Sequence, residues 1–198
     1  MTGRKSRETA AELMARLNAD PLFVARRARA EEEHQKLESE LRRAEAPLLE
    51  ALSRAGIEVA TVWDLVNTAP SYTAVLPLLL EHLQRTYPAP VRDGIARALA
   101  VPQARFALGL LTALYRKERE ARPKDGLAAA IGAIAEDDDI NDLLTLLREP
   151  ENGPSRLLLL SALERSRSPR ARAALLDFEH DPALRIEVKR ILRGGRRG

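Results

Sequence analysis

The sequence predicts an all-α protein, folded as a right-handed α-solenoid of about four helix pairs that follow a long, charged N-terminal helix. Three observations lead to this fold class. Helix-favouring leucine and alanine are abundant, while aromatic residues make up only 4% of the 198 residues. No run alternates valine or threonine with polar residues, as a half-buried strand would. Finally, a proline-led motif with an apolar stripe at helical spacing occurs four times.

The repeated motif is a proline followed within three residues by a basic residue, and then by the apolar stripe. It occurs, at intervals of 33, 31 and 28 residues, at Pro90, Pro123, Pro154 and Pro182. Proline suits the first turn of a helix, because its missing N–H has no intrahelical partner there. An apolar-periodic run precedes each motif, at 74–83, 104–115, 140–147 and 171–178. Each repeat is therefore predicted to be a helix pair that buries its stripes against neighbouring pairs.

The best copy of the motif runs from Pro90 to Leu99 with the sequence PVRDGIARAL. It resembles the second helix of HEAT repeats, the armadillo-like α-solenoid family, and the resemblance covers about residues 72–193. The chain departs from the family pattern where no aspartate follows Arg156 and where the last repeat is shortened. HEAT arrays mostly serve as curved binding scaffolds. The resemblance therefore implies a partner surface on the second helices and no particular chemistry.

The chain is predicted to contain three regions. Residues 1–46 form a helical extension with a disordered start at residues 1–7. Residues 47–193 form the repeat domain, in which residues 47–70 are an atypical unit that caps the N-terminal end of the array. Residues 194–198 form a flexible basic tail.

A long helix is predicted to begin at Pro21, behind an Asp20 cap, and its first half is charged on all sides. Pro47 is expected to begin a new helix or to kink this one. Beyond the charged half, apolar residues form a seam, at Leu37, Leu41, Ala44, Leu48 and Leu52. Such a seam needs a partner helix. The partner is either the repeat array or the same helix of a second copy, in which case the four leucines mediate self-association.

Several classes of site are excluded or disfavoured by composition. The chain has no cysteine, which excludes disulfides, thiolate metal sites and thiol nucleophiles. The N-terminus has no apolar core of a secretory signal, and no eighteen apolar residues run together. We therefore expect a cytoplasmic protein with no membrane partner.

The net charge is only +3, but the basic residues are concentrated towards the C-terminal end. Residues 148–198 contain twelve arginines and lysines against seven acidic residues. This excess favours an acidic partner. The alternative is that the preference for arginine over lysine, 27 against 5, is compositional.

An acidic cluster and a tryptophan are the first candidates for chemistry. The cluster offers oxygen ligands for Mg²⁺ or Ca²⁺, or caps a helix, at Asp137, Asp138, Asp139 and Asp142. Some HEAT-like proteins are DNA glycosylases that use an aspartate and tryptophans around an extruded base, which draws attention to Trp63 and Asp64. The simpler interpretation is a core tryptophan beside a capping carboxylate. We favour capping for both sets.

The three histidines are far apart in the sequence, and each has an acidic neighbour. We expect His34, His82 and His180 to lie on the surface. No pair has the spacing of metal ligands, and no catalytic triad is indicated. We predict no catalytic residue, no metal site, no cofactor and no enzymatic activity.

The remaining candidates are basic residues of the second helices. On the last helix, Arg185, Lys189 and Arg193 share one face, and Arg92, Arg97 and Arg156 extend the set. The predicted function is a non-catalytic protein–protein interaction module with a concave HEAT-like surface. The alternative is nucleic-acid binding through these cations, which would attract a phosphate backbone.

Overall fold

The computed structural model describes residues 9–67 and 71–194, and all regular secondary structure within them is helical. The all-α prediction is confirmed for these residues. The chain divides into two compact units, residues 1–43 and residues 44–198, called here the N-terminal and C-terminal units. The predicted disordered start and residues 195–198 of the predicted tail lie outside the described residues.

The N-terminal unit contains helix α1, Ala10–Ala19, and the first part of helix α2, Pro21–Arg54. Thr9 and Glu12 form a capping box at the start of α1. The backbone N–H of Glu12 donates to Thr9 Oγ1 at 3.3 Å, and that of Thr9 donates to Glu12 Oε2 at 2.9 Å. None of the described residues of this unit is buried. The described part of this unit, residues 9–43, therefore has no hydrophobic core of its own.

Helix α2 is continuous over 34 residues. Asp20 caps its first turn by accepting a hydrogen bond from the backbone N–H of Leu22 at 2.9 Å, as the sequence predicts. Of the two alternatives expected at Pro47, the start of a new helix is wrong, because α2 continues to Arg54 with Pro47 in its interior, and a kink stays a prediction. The charged first half and the leucine-bearing second half therefore belong to one helix.

The last turns of α2 contribute to the core of the C-terminal unit. Leu48 and Leu52 have no exposed surface. Leu41 is half-buried, whereas Leu37 is 53% exposed. Of the four leucines predicted to mediate self-association, only Leu37 and Leu41 therefore keep surface for a second copy.

Within its described residues, the C-terminal unit continues through nine shorter helices. They are α3 (Val62–Asn67), α4 (Leu76–Leu83), α5 (Ala89–Ala98), α6 (Leu108–Lys117), α7 (Ala121–Ile134), α8 (Ile140–Arg148), α9 (Arg156–Arg165), α10 (Pro169–Asp177) and α11 (Arg185–Gly194). Single 3₁₀ turns precede α4, α6, α8 and α9, at Thr73–Val75, Pro102–Ala107, Asp137–Asp139 and Pro150–Ser155.

The second helices of the pairs, α5, α7, α9 and α11, pack side by side in chain order. α3 contacts α5, α5 contacts α7, α7 contacts α9, and α9 contacts α11. The first helices α4, α6 and α8 lie against α5, α7 and α9, while α10 lies against both α9 and α11. Helices α5, α7 and α9 thus bury their flanks against neighbouring second helices and another side against their own first helix.

Glycines allow the second helices to approach closely. A Cβ atom at Gly94 would collide with Val62 of α3, and one at Gly126 would lie 2.9 Å from the carbonyl oxygen of Asp93 in α5. At Gly132 it would collide with a carbonyl oxygen of α9. Since no side chain fits at these contacts without a shift, the small residues determine how tightly the second helices pack.

Charged contacts also join neighbouring helix pairs at separations close to the repeat period. Arg105 Nη1 donates to Asp139 Oδ2 at 2.5 Å, and these residues are 34 apart in sequence. Arg190 Nη2 donates to Glu164 Oε2 at 2.8 Å across 26 residues. The arginine-rich composition thus has a structural use in linking one pair to the next.

Helices α9 and α11 begin two to three residues after the prolines that were predicted to start them. Pro154 lies in a 3₁₀ turn and α9 begins at Arg156, while Pro182 precedes the first residue of α11, Arg185, by three. Gly153, before the start of α9, has a φ of +62°. That conformation favours glycine and is not helical, so α9 begins only after Gly153.

His82 lies in the core, so the prediction of a surface position is wrong for this histidine. It is 2% exposed, its Nδ1 lies 2.7 Å from the Tyr87 hydroxyl oxygen, and the two rings stack at 6.0 Å. Burial, followed by the charge of Arg85, lowers the pKa of His82. His34 and His180 are exposed, as predicted.

In the part of the chain that the structure describes, no single helix is long and apolar enough to cross a membrane. One helical pair, Ala89–Ala98 with Pro102–Lys117, meets the length and composition criteria jointly, but it bends by 115°.

Candidate interaction surface

The six cations predicted to form a binding surface fall into two groups. Three have charged partners within the C-terminal unit: Arg92, Arg97 and Arg156. The other three, on α11, are exposed and have no side-chain hydrogen bond or ion pair to another described residue: Arg185, Lys189 and Arg193. A ligand-binding role for the α11 cations stays a prediction.

Arg92 joins α5 to the start of α7. Its guanidinium pairs with the buried Glu118, and its Nη1 donates to Glu120 Oε1 at 3.1 Å. Glu118 Oε1 also accepts hydrogen bonds from the backbone N–H groups of Arg119 and Glu120, at 2.8 and 2.9 Å. Because Glu120 is the N-cap residue of α7, Arg92 helps to fix where that helix begins.

Arg97 belongs to a cluster where α3, α5 and α7 meet, called here the Asp93 cluster: Trp63, Asp93, Arg97, Arg122 and Asp125. Asp93 is buried; its Oδ1 accepts from Arg97 Nε at 2.8 Å and its Oδ2 from Arg122 Nε at 3.2 Å. The Arg122 guanidinium carbon lies 5.9 Å from the centroid of the Trp63 ring. One buried carboxylate thus orients two arginines from neighbouring helix pairs.

Asp125 supplies a second carboxylate, so the formal charges of the Asp93 cluster cancel. Burial raises the pKa of Asp125; the charge of Arg97 acts against this rise, and that of Asp93 adds to it. Arg122 is exposed and Trp63 is half-buried. The cluster therefore presents an aromatic ring and charges of both signs to a ligand.

The exposed part of α7 continues this surface along the helix. Arg122, Asp125, Ala129 and Ala133 follow one another at three- and four-residue steps and are exposed or half-buried. We call these four residues the α7 stripe. The other sides of α7 are covered, since it contacts α5, α6 and α9.

Arg156 is a buried link and not part of an exposed surface, since only 5% of the residue is exposed. Its Nη1 donates to the Leu147 carbonyl oxygen at 2.8 Å and to Asp181 Oδ2 at 2.9 Å, and its Nε donates to the Gly153 carbonyl oxygen at 3.2 Å. Burial acts to raise the pKa of Asp181, but hydrogen bonds from Arg156 and from backbone N–H groups outweigh it and lower the pKa. The pair ties α9 to the turn before α11.

In the acidic cluster before α8, Asp139 has a capping role at the 3₁₀ turn that leads into the helix, whereas capping by Asp138 and Asp142 stays a prediction. Asp139 and Glu136 form a capping box, in which the backbone N–H of Glu136 donates to Asp139 Oδ2 at 2.8 Å. Asp137 accepts a hydrogen bond from the hydroxyl of Ser166. Among the described residues, no group of three or more histidine, aspartate and glutamate side chains is placed to hold a metal ion.

Asp64 also caps a helix, as predicted. Its Oδ2 accepts hydrogen bonds from the backbone N–H groups of Ala60 and Thr61, at 2.8 and 3.0 Å, at the start of α3. The prediction that Trp63 is a core residue is wrong, because Trp63 is half-buried beside Arg122. Its ring contributes to the surface.

Sequence reasoning missed Arg122 and Asp125. Their signal was present, because these two charged residues lie three positions apart at the start of α7 and so share one side of the helix. The contact between Arg122 and Asp93 joins residues that are far apart in the chain, and one sequence alone gives no sign of it.

Comparison with known proteins gives no significant match: no family model matches the chain, and no curated protein or solved structure is significantly similar to it. Function is therefore inferred from the contacts described above.

Proposed function

We propose that this chain is a non-catalytic protein–protein interaction module, built as a right-handed α-solenoid of HEAT-like helix pairs. One observation carries the proposal: α5, α7 and α9 pack side by side while the α7 stripe stays accessible. In the family that the sequence resembles, the second helices generally line the binding surface. The proposal includes no cofactor or metal, and it assumes a cytoplasmic location.

The Asp93 cluster is the part of this surface best suited to a protein partner. Tryptophan and arginine are enriched at the centres of protein interfaces. Arg97 and Arg122 are already held by Asp93. Their side chains therefore lose less conformational entropy when a partner binds than free arginines would.

A non-catalytic role is supported by how the titratable groups are used. Asp64 and Asp139 cap helices, and Asp93 and Asp181 pair with arginines. A DNA glycosylase-like activity is disfavoured, because Asp64 is committed to backbone N–H groups at its own helix start.

Position-specific photocrosslinking tests the proposed surface. A photoreactive phenylalanine analogue replaces Ala129 of the α7 stripe in one variant and the exposed Ala113 of α6 in the control. In cell extract, we expect one defined protein adduct at position 129 and none at position 113. Adducts only at position 113, or at neither position, would contradict the proposal.

Nucleic-acid binding is the second candidate, because Arg185, Lys189 and Arg193 are exposed and unpaired among the described residues. Phosphate binding through these cations predicts retention on a duplex DNA column at about 50 mM salt and release at about 300 mM. Reversing all three charges should then abolish retention. No retention of the unmodified chain at low salt would remove this candidate.

A further inference from the structure

Helices α10 and α11 form a groove of about 490 Å³ on the last helix pair. One wall is the α10 side, with Arg172, Leu176 and Glu179 at helical spacing. The other wall is lined by Lys189, Leu192 and Arg193 of α11. The groove thus places two leucines among three cations and one carboxylate, and Leu176 is 55% exposed.

The positive charge of this groove is only partly compensated within the described residues, since Glu179 offsets one of its three cations. Arg172, Lys189 and Arg193 make no ion pair or side-chain hydrogen bond there, whereas the nearby Arg190 pairs with both Glu164 and Glu187. An apolar floor between unpaired cations is complementary to an apolar side chain flanked by carboxylates.

The N-terminal unit contains a segment with that chemistry. Residues 31–40 of α2 contain five glutamates and one lysine, and all of them are exposed. Leu37, which is 53% exposed, shares one side of the helix with Glu33, four residues earlier, and Glu40, three residues later. Within the described residues, neither Glu33 nor Glu40 makes an ion pair or a side-chain hydrogen bond, and no residue of the N-terminal unit is buried.

We propose that the Glu33–Leu37–Glu40 side of α2 in one copy of the chain docks in the α10–α11 groove of a second copy. Leu37 covers Leu176 and Leu192, and the two glutamates face the groove cations. The two patches differ, so the contact is head-to-tail and joins copies into a ring or an open chain. It uses neither the α7 stripe nor an outside partner and stands independently of the proposed function.

The groove lining favours a helix over a nucleic acid. The residues that line it include no aromatic side chain on which a base stacks. A phosphate backbone gains nothing from the two leucines, whereas an amphipathic helix buries its leucine against them.

Sedimentation velocity of the full chain over a range of concentrations tests the proposal. We expect concentration-dependent association at about 50 mM salt that weakens at about 500 mM, because charge pairs at the rim of an interface are screened. A chain that stays monomeric at every concentration at low salt would overturn the proposal.

Two charge-reversed variants locate the contact. Lys189→Glu/Arg193→Glu changes the groove, and Glu33→Lys/Glu40→Lys changes α2. Each alone should raise the apparent dissociation constant by about tenfold or more. The matched control, Lys117→Glu/Arg119→Glu, makes the same charge change at exposed cations near the end of another helix and should leave association unchanged.

Mixing the two reversed variants provides the decisive result. Each supplies the intact patch that the other lacks, so the mixture should associate at concentrations at which each variant alone is mostly monomeric. Association that survives the groove variant would overturn the proposal and indicate another interface. Failure of the mixture to associate would also overturn the proposal. So would an unmodified chain that stays monomeric and binds a heparin column, if the groove variant differs from it only by losing that retention.

Discussion

At the scale of single residues, the role of an arginine depends on whether a carboxylate lies close enough to form an ion pair with its guanidinium group. Arg156 and Arg193 look alike in the sequence, since each is a basic residue on a second helix. Arg156 is buried against Asp181, 25 residues away, whereas Arg193 stays exposed. The sequence predicts which residues are basic, but tertiary contacts decide which of them remain free for a ligand.

Asp93 is the residue whose charge we expect to matter most for packing, because it holds both Arg97 and Arg122. Asp93→Asn should lower the free energy of unfolding by about 1.5–3 kcal/mol, the range for hydrogen bonds to charged groups. Urea titration measures this change. The control Asp138→Asn, at an exposed position, should change it by about 0.5 kcal/mol or less.

His82 should make stability depend on pH. Burial lowers its pKa in the folded chain, so below the ordinary value of 6.5 the unfolded chain binds the proton more readily than the folded chain. The free energy of unfolding should therefore fall as the pH decreases below 6.5, until the pKa of folded His82 is reached.

The variant His82→Gln isolates this contribution, because the carboxylates titrate in both proteins. We expect the difference in unfolding free energy between the unmodified chain and the variant to shrink as the pH falls from about 7 to about 5. A pH-independent difference for His82→Gln would contradict the assignment.

At the scale of helices, periodicity and prolines predicted most of the elements but not their contacts. The apolar runs at 140–147 and 171–178 correspond closely to α8 and α10. His82 was misplaced because its acidic neighbour suggested a surface, although Leu79 and Leu83 put it on the buried side of α4. Burial of Glu45, a residue of α2, was not predicted, because the backbone N–H of Val62 that donates to its carboxylate is 17 residues away.

Close contact between α5 and α7 should make Gly126 intolerant of a side chain. A Cβ there would lie 2.7 Å from Asp93 Oδ1 and 2.9 Å from the Asp93 carbonyl oxygen. We expect Gly126→Ala to reduce the free energy of unfolding by about 1–3 kcal/mol, although alanine is the better helix former.

Gly109 in α6 is the matched control, because a Cβ there meets nothing within 4 Å. Gly109→Ala should increase the free energy of unfolding by about 0.5 kcal/mol, since alanine lowers the entropy of the unfolded chain. Thermal or urea unfolding of both variants compares the two effects. Equal effects at both positions would show that α5 and α7 do not approach so closely.

At the scale of the whole molecule, the helices associated with the four proline-led motifs are neighbours in space. α5, α7, α9 and α11 contact one another in chain order. The sequence did not reveal that α2 extends from the N-terminal unit into the C-terminal unit, where Leu48 and Leu52 are buried in the core. The sequence pattern of a leucine seam is the same whether the seam packs within one chain or between two chains, so only the structure distinguishes these two kinds of packing.

Disulfide trapping tests this neighbour order most directly, because the natural chain has no cysteine. Asp137 and Ser166 are hydrogen-bonded between the turns after α7 and α9, so Asp137→Cys/Ser166→Cys should oxidise readily to an intramolecular bridge. Gln103 lies in the turn region one repeat earlier, and Gln103→Cys/Ser166→Cys spans two repeats. We predict a bridge in the first variant and none in the second, on a non-reducing gel. Equally rapid bridging in the second variant would contradict side-by-side packing in chain order.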